Sequence, residues 1–455
     1  MTSPPRGAGP GPAVLHADVA VIGGGVIGHG IAWEARRSGR SVVLIDDAPG
    51  SGASWAAAGM LAPVSELHYQ EEGLLELMLE SSARWPEFAA ALAGAAPGAA
   101  ADTGYLTTPT LAVGADAADR RALTDLRGVQ RTSGLDVEPL TIREARSREP
   151  LLSPGISCAM DIPADHQVDP RKLLARFAGS LASHHGDAGT WVDGAAGGYA
   201  LRERATGLLW ETGRVSGVRL TGGGTVKAGE TIVANGLDAA SLAGLPAGLE
   251  LPLRPVYGDI LRLRVPRHLR PLVTSTVRGL VHGVPVYIVP RQDGTVVIGA
   301  TQREDGLSAA EALGSVNAVS AGGVYQLLRD AQVLVPAVSE LELLECTARA
   351  RPGTPDNSPL LGRVSAGRVP AGSCAGEISG HIPGLIIATG FFRHGVLLTP
   401  AAAVICRQLM DGTPDARWAV FRPDRFSGTR RGSQPLTGPG LPEPTVTIDP
   451  NKESA

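Results

Sequence analysis

Apolar and polar positions follow two different periods along this chain, and the switches between them predict its elements. From Ala17, the stretch ADVAVIGGGVIGHGIAWEARRSGRSVVLIDD gives an apolar run, a glycine-rich turn, and a segment with Ile27, Ile31, Ala32 and Ala35 at helical spacing. A second apolar run ending in acid closes it. Gly39 is placed to stop the helix, so the stretch predicts a βαβ unit. Apolar runs into glycine recur at 230–242 and 384–412 and read as further strands of the same sheet, reached after long excursions. The second predicts a following helix with Ala401, Val404, Ile405, Leu409 and Met410 on its buried side and Pro400 in its first turn. DILRLRV and VYIVPRQDGTVVIGAT have strand character, with Asp293-Gly294 as a hairpin turn.

The βαβ unit carries candidate chemistry in its turn. Gly23, Gly25 and Gly28 fit G-x-G-x-x-G: one glycine makes the tight turn, the next admits a pyrophosphate, and the last lets helix pack on strand. The N–H groups of Val26 and Ile27 open the helix, at the end where its dipole favours an anion. Asp46 ends the second strand where an acid hydrogen-bonds a ribose hydroxyl, and Asp47 is placed to share that task. An acid here disfavours a 2′-phosphate but leaves NAD and FAD both open.

Composition narrows the field. At 455 residues, with 43% hydrophobic and 19% charged residues, the chain has the material for two or three domains. Residues 1–16 and 428–455, rich in Pro, Gly and polar residues, read as disordered tails. A net charge of −4 offers no attraction to nucleic acid, and no apolar stretch is long enough for a membrane span. Cys158, Cys346, Cys374 and Cys406 are scattered, with neither a metal-ligand spacing nor a disulfide framework, so a metal site is not expected and a reducing cytoplasm is.

The stretch GASWAAAGMLAP, residues 52–63, sets small side chains just after the dinucleotide-type unit. It leaves a backbone stripped of bulk, against which something flat can lie. Together with DHQVDP (165–170), YIVPR (287–291), RPGTPDNSPLLG (351–362), TGFFRHGVLLTP (389–400) and FRPDRF (421–426), in that order, it resembles the glycine oxidases of thiamine biosynthesis. That family lies within the superfamily of D-amino acid and sarcosine oxidases, and the resemblance covers about residues 17–426. It implies a Rossmann-type FAD-binding domain (17–88, 155–245 and 345–427) interleaved with a substrate domain on a mostly antiparallel sheet (89–154 and 246–344). It further implies that Ala53, Ser54, Ala58, Gly59 and Met60 touch FAD, and that Ala205 meets the adenine. The turn Phe391, Phe392, Arg393, His394, Gly395, Val396, Leu397 passes the pyrimidine end of the ring.

The same resemblance assigns Arg351 to a substrate carboxylate, with Tyr287 as its phenol partner and Arg393 beside the flavin in contact with substrate or cofactor. A guanidinium suits that task because its fork matches a carboxylate. The implied reaction takes a small amino acid and O2, and the flavin itself carries the chemistry, so His166 and His394 are scaffolds rather than bases. Departures from the family pattern are Asn235, Tyr257, Asp259 and Arg349. In the sarcosine-oxidase branch a flavin-linking cysteine aligns near Arg349 and an oxygen-activating lysine near Val297; neither is present, so noncovalent FAD is expected. A D-amino acid or sarcosine-type oxidase, a dehydrogenase and a flavin protein without turnover stay open, as does a homo-oligomer.

Overall fold

The computed structural model describes residues 13–67, 71–94, 102–182, 200–304, 318–366 and 380–428. Residues 1–12 and 429–455, most of the two expected tails, lie outside the described residues, as does Cys374. Val14 to His16, expected in the first tail, are instead the start of a strand.

Two sheets organise the chain. In the first, β1 (Val14–Ile22), α1 (Val26–Arg37) and β2 (Val42–Ile45) form the expected βαβ unit, with β1 and β2 parallel. On the other side of β1 come Thr225–Val233 and then Leu385–Thr389, both parallel to it, and Leu360–Gly362 closes the edge antiparallel. The buried end of β1 shows why it is apolar on consecutive residues. Val19 and Val21 join the core under the helices, whereas Ala20 and Ile22 join a second core on the opposite face with Leu208, Val218 and Ile387. A strand buried on both faces loses the polar alternation of a half-exposed one. The helices Pro170–Ala182 and Thr399–Asp411 pack on α1, which Gly30 permits: a Cβ there would stand 2.5 Å from Thr399 Cγ2.

The second sheet has eight strands in the order Glu342–Gly353, Arg254–Arg264, Thr295–Gly299, Val284–Pro290, Thr276–Val281, Thr110–Gly114, Cys158–Ile162, Glu138–Leu140. Every neighbouring pair is antiparallel except Thr276–Val281 with Thr110–Gly114. Helix Ala321–Leu334 covers one face with Leu327, Ala331 and Leu334. The other face meets the small-residue segment, where Ala56 and Ala58 pack on Ile260, Val289 and Val297.

Two strands cross the boundaries expected from sequence. Cys158–Ile162 lies in the second sheet, paired with Thr110–Gly114, although residues from 155 on were expected in the first. Glu342–Gly353 also belongs wholly to the second sheet, although residues from 345 on were expected in the first. Pairing between strands some fifty or ninety residues apart leaves no trace in either strand's own period.

Candidate active site

A cavity of about 1100 Å³ runs between the sheets. That exceeds the roughly 300–1,000 Å³ of ordinary small-molecule sites and suits a dinucleotide. At one end lies the β1–α1 turn. Gly23 has φ +108°, and a Cβ on it would meet Ala234 and Asn235 at 2.6 Å; a Cβ on Gly28 would stand 1.8 Å from the Gly23 carbonyl oxygen. Gly25 is different: its Cβ would meet only Ser54 Oγ, at 3.3 Å, and otherwise points at open cavity. Val26 N–H donates to Ser54 Oγ at 3.0 Å. The Asp46 carboxylate accepts from the Gly24 N–H (2.5 Å) and the Ala48 N–H (2.8 Å), which fixes it at the cavity rim beside Asp47. Among the described residues the Gly25 and Ile27 N–H groups have no protein acceptor, so the turn offers these to a diphosphate and an oriented acid to a ribose, and FAD fits it.

Every residue expected at the cofactor lines this cavity except Gly28, which serves the packing of helix on turn. Ala205 lines the cavity with Arg204 and Thr206. Gly59 lines the cavity but owes its identity to the protein: with φ +76°, its Cβ would stand 2.0 Å from the Val168 carbonyl of DHQVDP. Residues 391–397 form the approach to the helix Thr399–Asp411, with Pro400 in its first turn as expected, so a helix dipole's positive end faces this part of the cavity. Phe392 holds φ +47° there.

At the far end stand Tyr287 and Arg351. Tyr287 lies opposite Gly299 in the register, and a Cβ on Gly299 would meet the Tyr287 hydroxyl at 2.4 Å. A Cβ on Gly258 would likewise stand 2.5 Å from Arg351 Nη2. Two strand glycines thus clear space for the two expected substrate-binding side chains. The Arg351 side chain makes no ion pair or hydrogen bond among the described residues. Burial pushes Tyr287 up to about 12, although Arg351 pulls the other way. The phenol is therefore protonated at neutral pH and can donate.

Arg393 is placed differently. Its Nε bonds Glu66 Oε2 at 2.8 Å, and its Nη2 bonds Glu71. Arg278, which sequence reasoning did not single out, pairs with the same Glu66. Burial alone would raise the Glu66 pKa, but Arg278 and Arg393 together hold its carboxyl far below the usual range. Asn357 Nδ2 extends the chain to Glu71 at 2.8 Å. Two guanidinium groups and two carboxylates cancel in this network, whereas Arg351 and Arg349 line the cavity with no carboxylate partner among the described residues. Arg349 also lines the cavity, with its Nε on the Ser51 carbonyl at 2.9 Å. Of the other departures, Asp259 is buried and accepts from Thr301 Oγ1 (2.9 Å) beside Arg303 (3.2 Å), and Arg303 lies over Tyr257 at 5.3 Å. Asn235 lines the cavity with its Oδ1 buried and without a hydrogen bond. His166 Nδ1 sits 3.0 Å from the Tyr105 hydroxyl, and His394 is buried in the 391–397 turn.

Asp165 supports this wall from behind, its carboxylate accepting the N–H groups of Val64 and Ser65, both at 2.9 Å. Burial pushes its pKa up to about 6, against those donors and Arg278. A carboxyl whose folded pKa is raised above its ordinary 3.8 favours the folded state when protonated. Its stabilising effect is complete below about pH 4 and is lost as pH rises through about 6. Asp165→Asn is expected to gain about 3 kcal/mol relative to the parent between pH 4 and pH 7, read from denaturant melts at each pH. A difference that does not change with pH would mean the carboxyl is ionised throughout.

The fold and cavity define a two-domain flavoprotein oxidoreductase: a dinucleotide site on a parallel sheet, roofed by an antiparallel one. Residues 18–409 match the family described as FAD dependent oxidoreductase, and the chain belongs to it. It is 33% identical over 399 residues to the glycine oxidase of Geobacillus kaustophilus (strain HTA426), covering 87% of this chain and 93% of that one. The crystal structure of glycine oxidase from Geobacillus kaustophilus superposes with a TM-score of 0.73 at 30% identity, covering 90% of this chain and 99% of that one. The bifunctional protein ThiO/ThiG of Trichormus variabilis (strain ATCC 29413 / PCC 7937) is 30% identical over 90% of this chain, which spans 55% of that relative's length. Among the described residues no helix is long and apolar enough to cross a membrane.

Proposed function

We propose that this FAD-dependent oxidoreductase oxidises glycine: glycine, O2 and water give glyoxylate, ammonia and hydrogen peroxide, by way of the imine, in the service of thiamine biosynthesis. The observation that carries the reading is Arg351, a guanidinium without a counter-ion among the described residues, beside a protonated Tyr287 in the cavity that begins at the dinucleotide turn. Bound FAD supplies the two-electron acceptor for the hydrogen on the carbon next to nitrogen. Arg351 takes the carboxylate through paired N–H donors, and Tyr287 donates its hydroxyl to the same group. Those two contacts fix the carbon that must react, and holding it in reach removes much of the entropic part of the barrier. The closed Arg278–Glu66–Arg393–Glu71 network keeps its two guanidinium groups paired with carboxylates rather than open to the anion. A reducing cytoplasm suits Cys158, Cys346 and Cys406, all free thiols.

The test is direct. The purified yellow protein is mixed anaerobically with glycine, sarcosine and D-alanine while the flavin absorbance is followed, and peroxide is measured in air. Glycine is expected to bleach the flavin and to yield peroxide faster than the other two. Unchanged absorbance with glycine would remove the reading.

A further inference from the structure

The segment 51–60 has an asymmetry that the cofactor-binding reading alone does not require. The carbonyls of Gly52 and Ala53 are taken within it by the N–H groups of Trp55 and Ala57, but those of Ser51, Trp55, Ala57 and Ala58 are taken by arginine side chains from outside it. Arg349 Nε donates to Ser51 O at 2.9 Å. Arg171 Nε and Arg262 Nη2 donate to Trp55 O at 3.1 and 3.2 Å, and Arg262 Nη2 reaches Ala57 O at 3.5 Å. Arg291 Nη2 donates to Ala58 O, and the Val168 N–H to Gly59 O at 2.8 Å. The carbonyls of three successive residues, 57 to 59, are thus drawn to the side away from the cavity. Among the described residues the N–H groups of Ala58 and Gly59 donate to no protein acceptor, in a stretch that lines the cavity.

Two of these arginines sit where a cation is costly. The Arg291 side chain is 5% exposed and that of Arg262 11%. Glu345, the carboxylate nearest Arg262, stands 4.0 Å from its Nε and is committed to Arg171 by two bonds of 2.7 and 2.9 Å. Asp169 is 3.8 Å from Arg291 Nε. Burial and the neighbouring Arg171 and Arg291 lower Arg262 to about 10, the mark of a guanidinium held at some expense. A buried charge whose close partners are backbone carbonyls does little for stability that a neutral donor could not do.

We infer that Arg262, with Arg291, is a positioning residue for the flavin: by holding the Ala57 and Ala58 carbonyls it turns those peptides so that the N–H groups of Ala58 and Gly59 face the cavity, and it holds positive charge behind them, raising the affinity of the bound flavin for electrons. The wall then stabilises the negative charge that a reduced ring carries, as preorganised dipoles do at any site where charge develops. The inference rests on FAD occupying the cavity but not on glycine being the substrate.

Sulfite, an anion that adds to oxidised flavin, is the probe, together with the midpoint potential from dye equilibration. The holoenzyme is compared with Arg262→Gln, Arg262→Lys and, as control, Arg264→Gln on the same strand, an exposed residue paired with Glu342 at 3.4 Å. Arg262→Gln is expected to weaken sulfite about tenfold and to lower the potential by about 30 mV, the same tenfold change for a two-electron couple. Arg262→Lys recovers most of both, and Arg264→Gln changes neither. Equal sulfite affinity and potential in the parent and in Arg262→Gln would overturn the inference. Should Arg262→Gln lose FAD, titrating the apoproteins with FAD decides: Arg262→Lys holding FAD within a few-fold of the parent supports it, and Lys failing as badly as Gln overturns it. Because neither readout uses substrate, a protein inert to glycine can still pass.

Discussion

Arg351→Ala is expected to raise the glycine concentration for half-maximal rate by about a hundredfold or more while the protein stays yellow and its melting temperature holds. A desolvated, hydrogen-bonded charge pair truncated on one side loses roughly 2–5 kcal/mol, and each 1.4 kcal/mol is about tenfold. Stability is spared because among the described residues the Arg351 side chain has no salt bridge or hydrogen bond to break, so its truncation strands no other group among them. Arg393→Ala makes the informative contrast. It strips Glu66 and Glu71 of a shared guanidinium, and breaking a buried pair costs about 3–5 kcal/mol. Steady-state kinetics with flavin content and a thermal melt on both variants separate the cases. If Arg351→Ala keeps the parent's glycine dependence, the carboxylate is held elsewhere and Arg351 is not its partner.

The contrast also shows which parts of the site could be read in the sequence. The β1–α1–β2 unit was legible because its signals are local: apolar runs, glycines at fixed offsets and an acid at the strand's end are dictated by backbone sterics and by the dinucleotide. The hairpin at Asp293-Gly294 and Pro400 in a first turn were legible for the same reason, and Gly294 takes φ +82°. The charge balance was not. Glu66, Arg278 and Arg393 lie far apart in the chain, and although the resemblance sets Arg393 beside the flavin, nothing local marks Glu66 or Arg278 as its partners; only the packing of the two sheets makes them one network that neutralises Arg393. Glycines inside strands carried a signal that period alone could not interpret. Gly258 and Gly299 weaken their strands by propensity, and their use appears once Arg351 and Tyr287 are seen to fill the space they leave. The small-residue segment was legible as a surface without bulk, but the sequence could not say which neighbour needs each residue. Gly59 yields to Val168, and Ala56 and Ala58 yield to the second sheet, as well as to what the cavity holds.

Gly28→Ala and Gly25→Ala, two changes of one methyl within one motif, are expected to fail in different ways. At Gly28 the new Cβ would stand 1.8 Å from the Gly23 carbonyl oxygen and 3.0 Å from its carbon. Neither atom can move without dragging the turn off β1, so the strain falls on the protein itself, at about 3 kcal/mol or more. The apoprotein of Gly28→Ala therefore melts well below the parent apoprotein. At Gly25 the new methyl meets only Ser54 Oγ at 3.3 Å, a hydroxyl that can give by a few tenths of an ångström, although it also accepts the Val26 N–H. The Gly25→Ala apoprotein keeps its melting temperature, while the methyl occupies the approach of the diphosphate to the first helical N–H groups and FAD binds at least about tenfold more weakly. Apoprotein melts and FAD titrations by flavin fluorescence quenching read the two effects independently. A Gly25→Ala protein that binds FAD as the parent does would mean that the diphosphate does not rest against this turn.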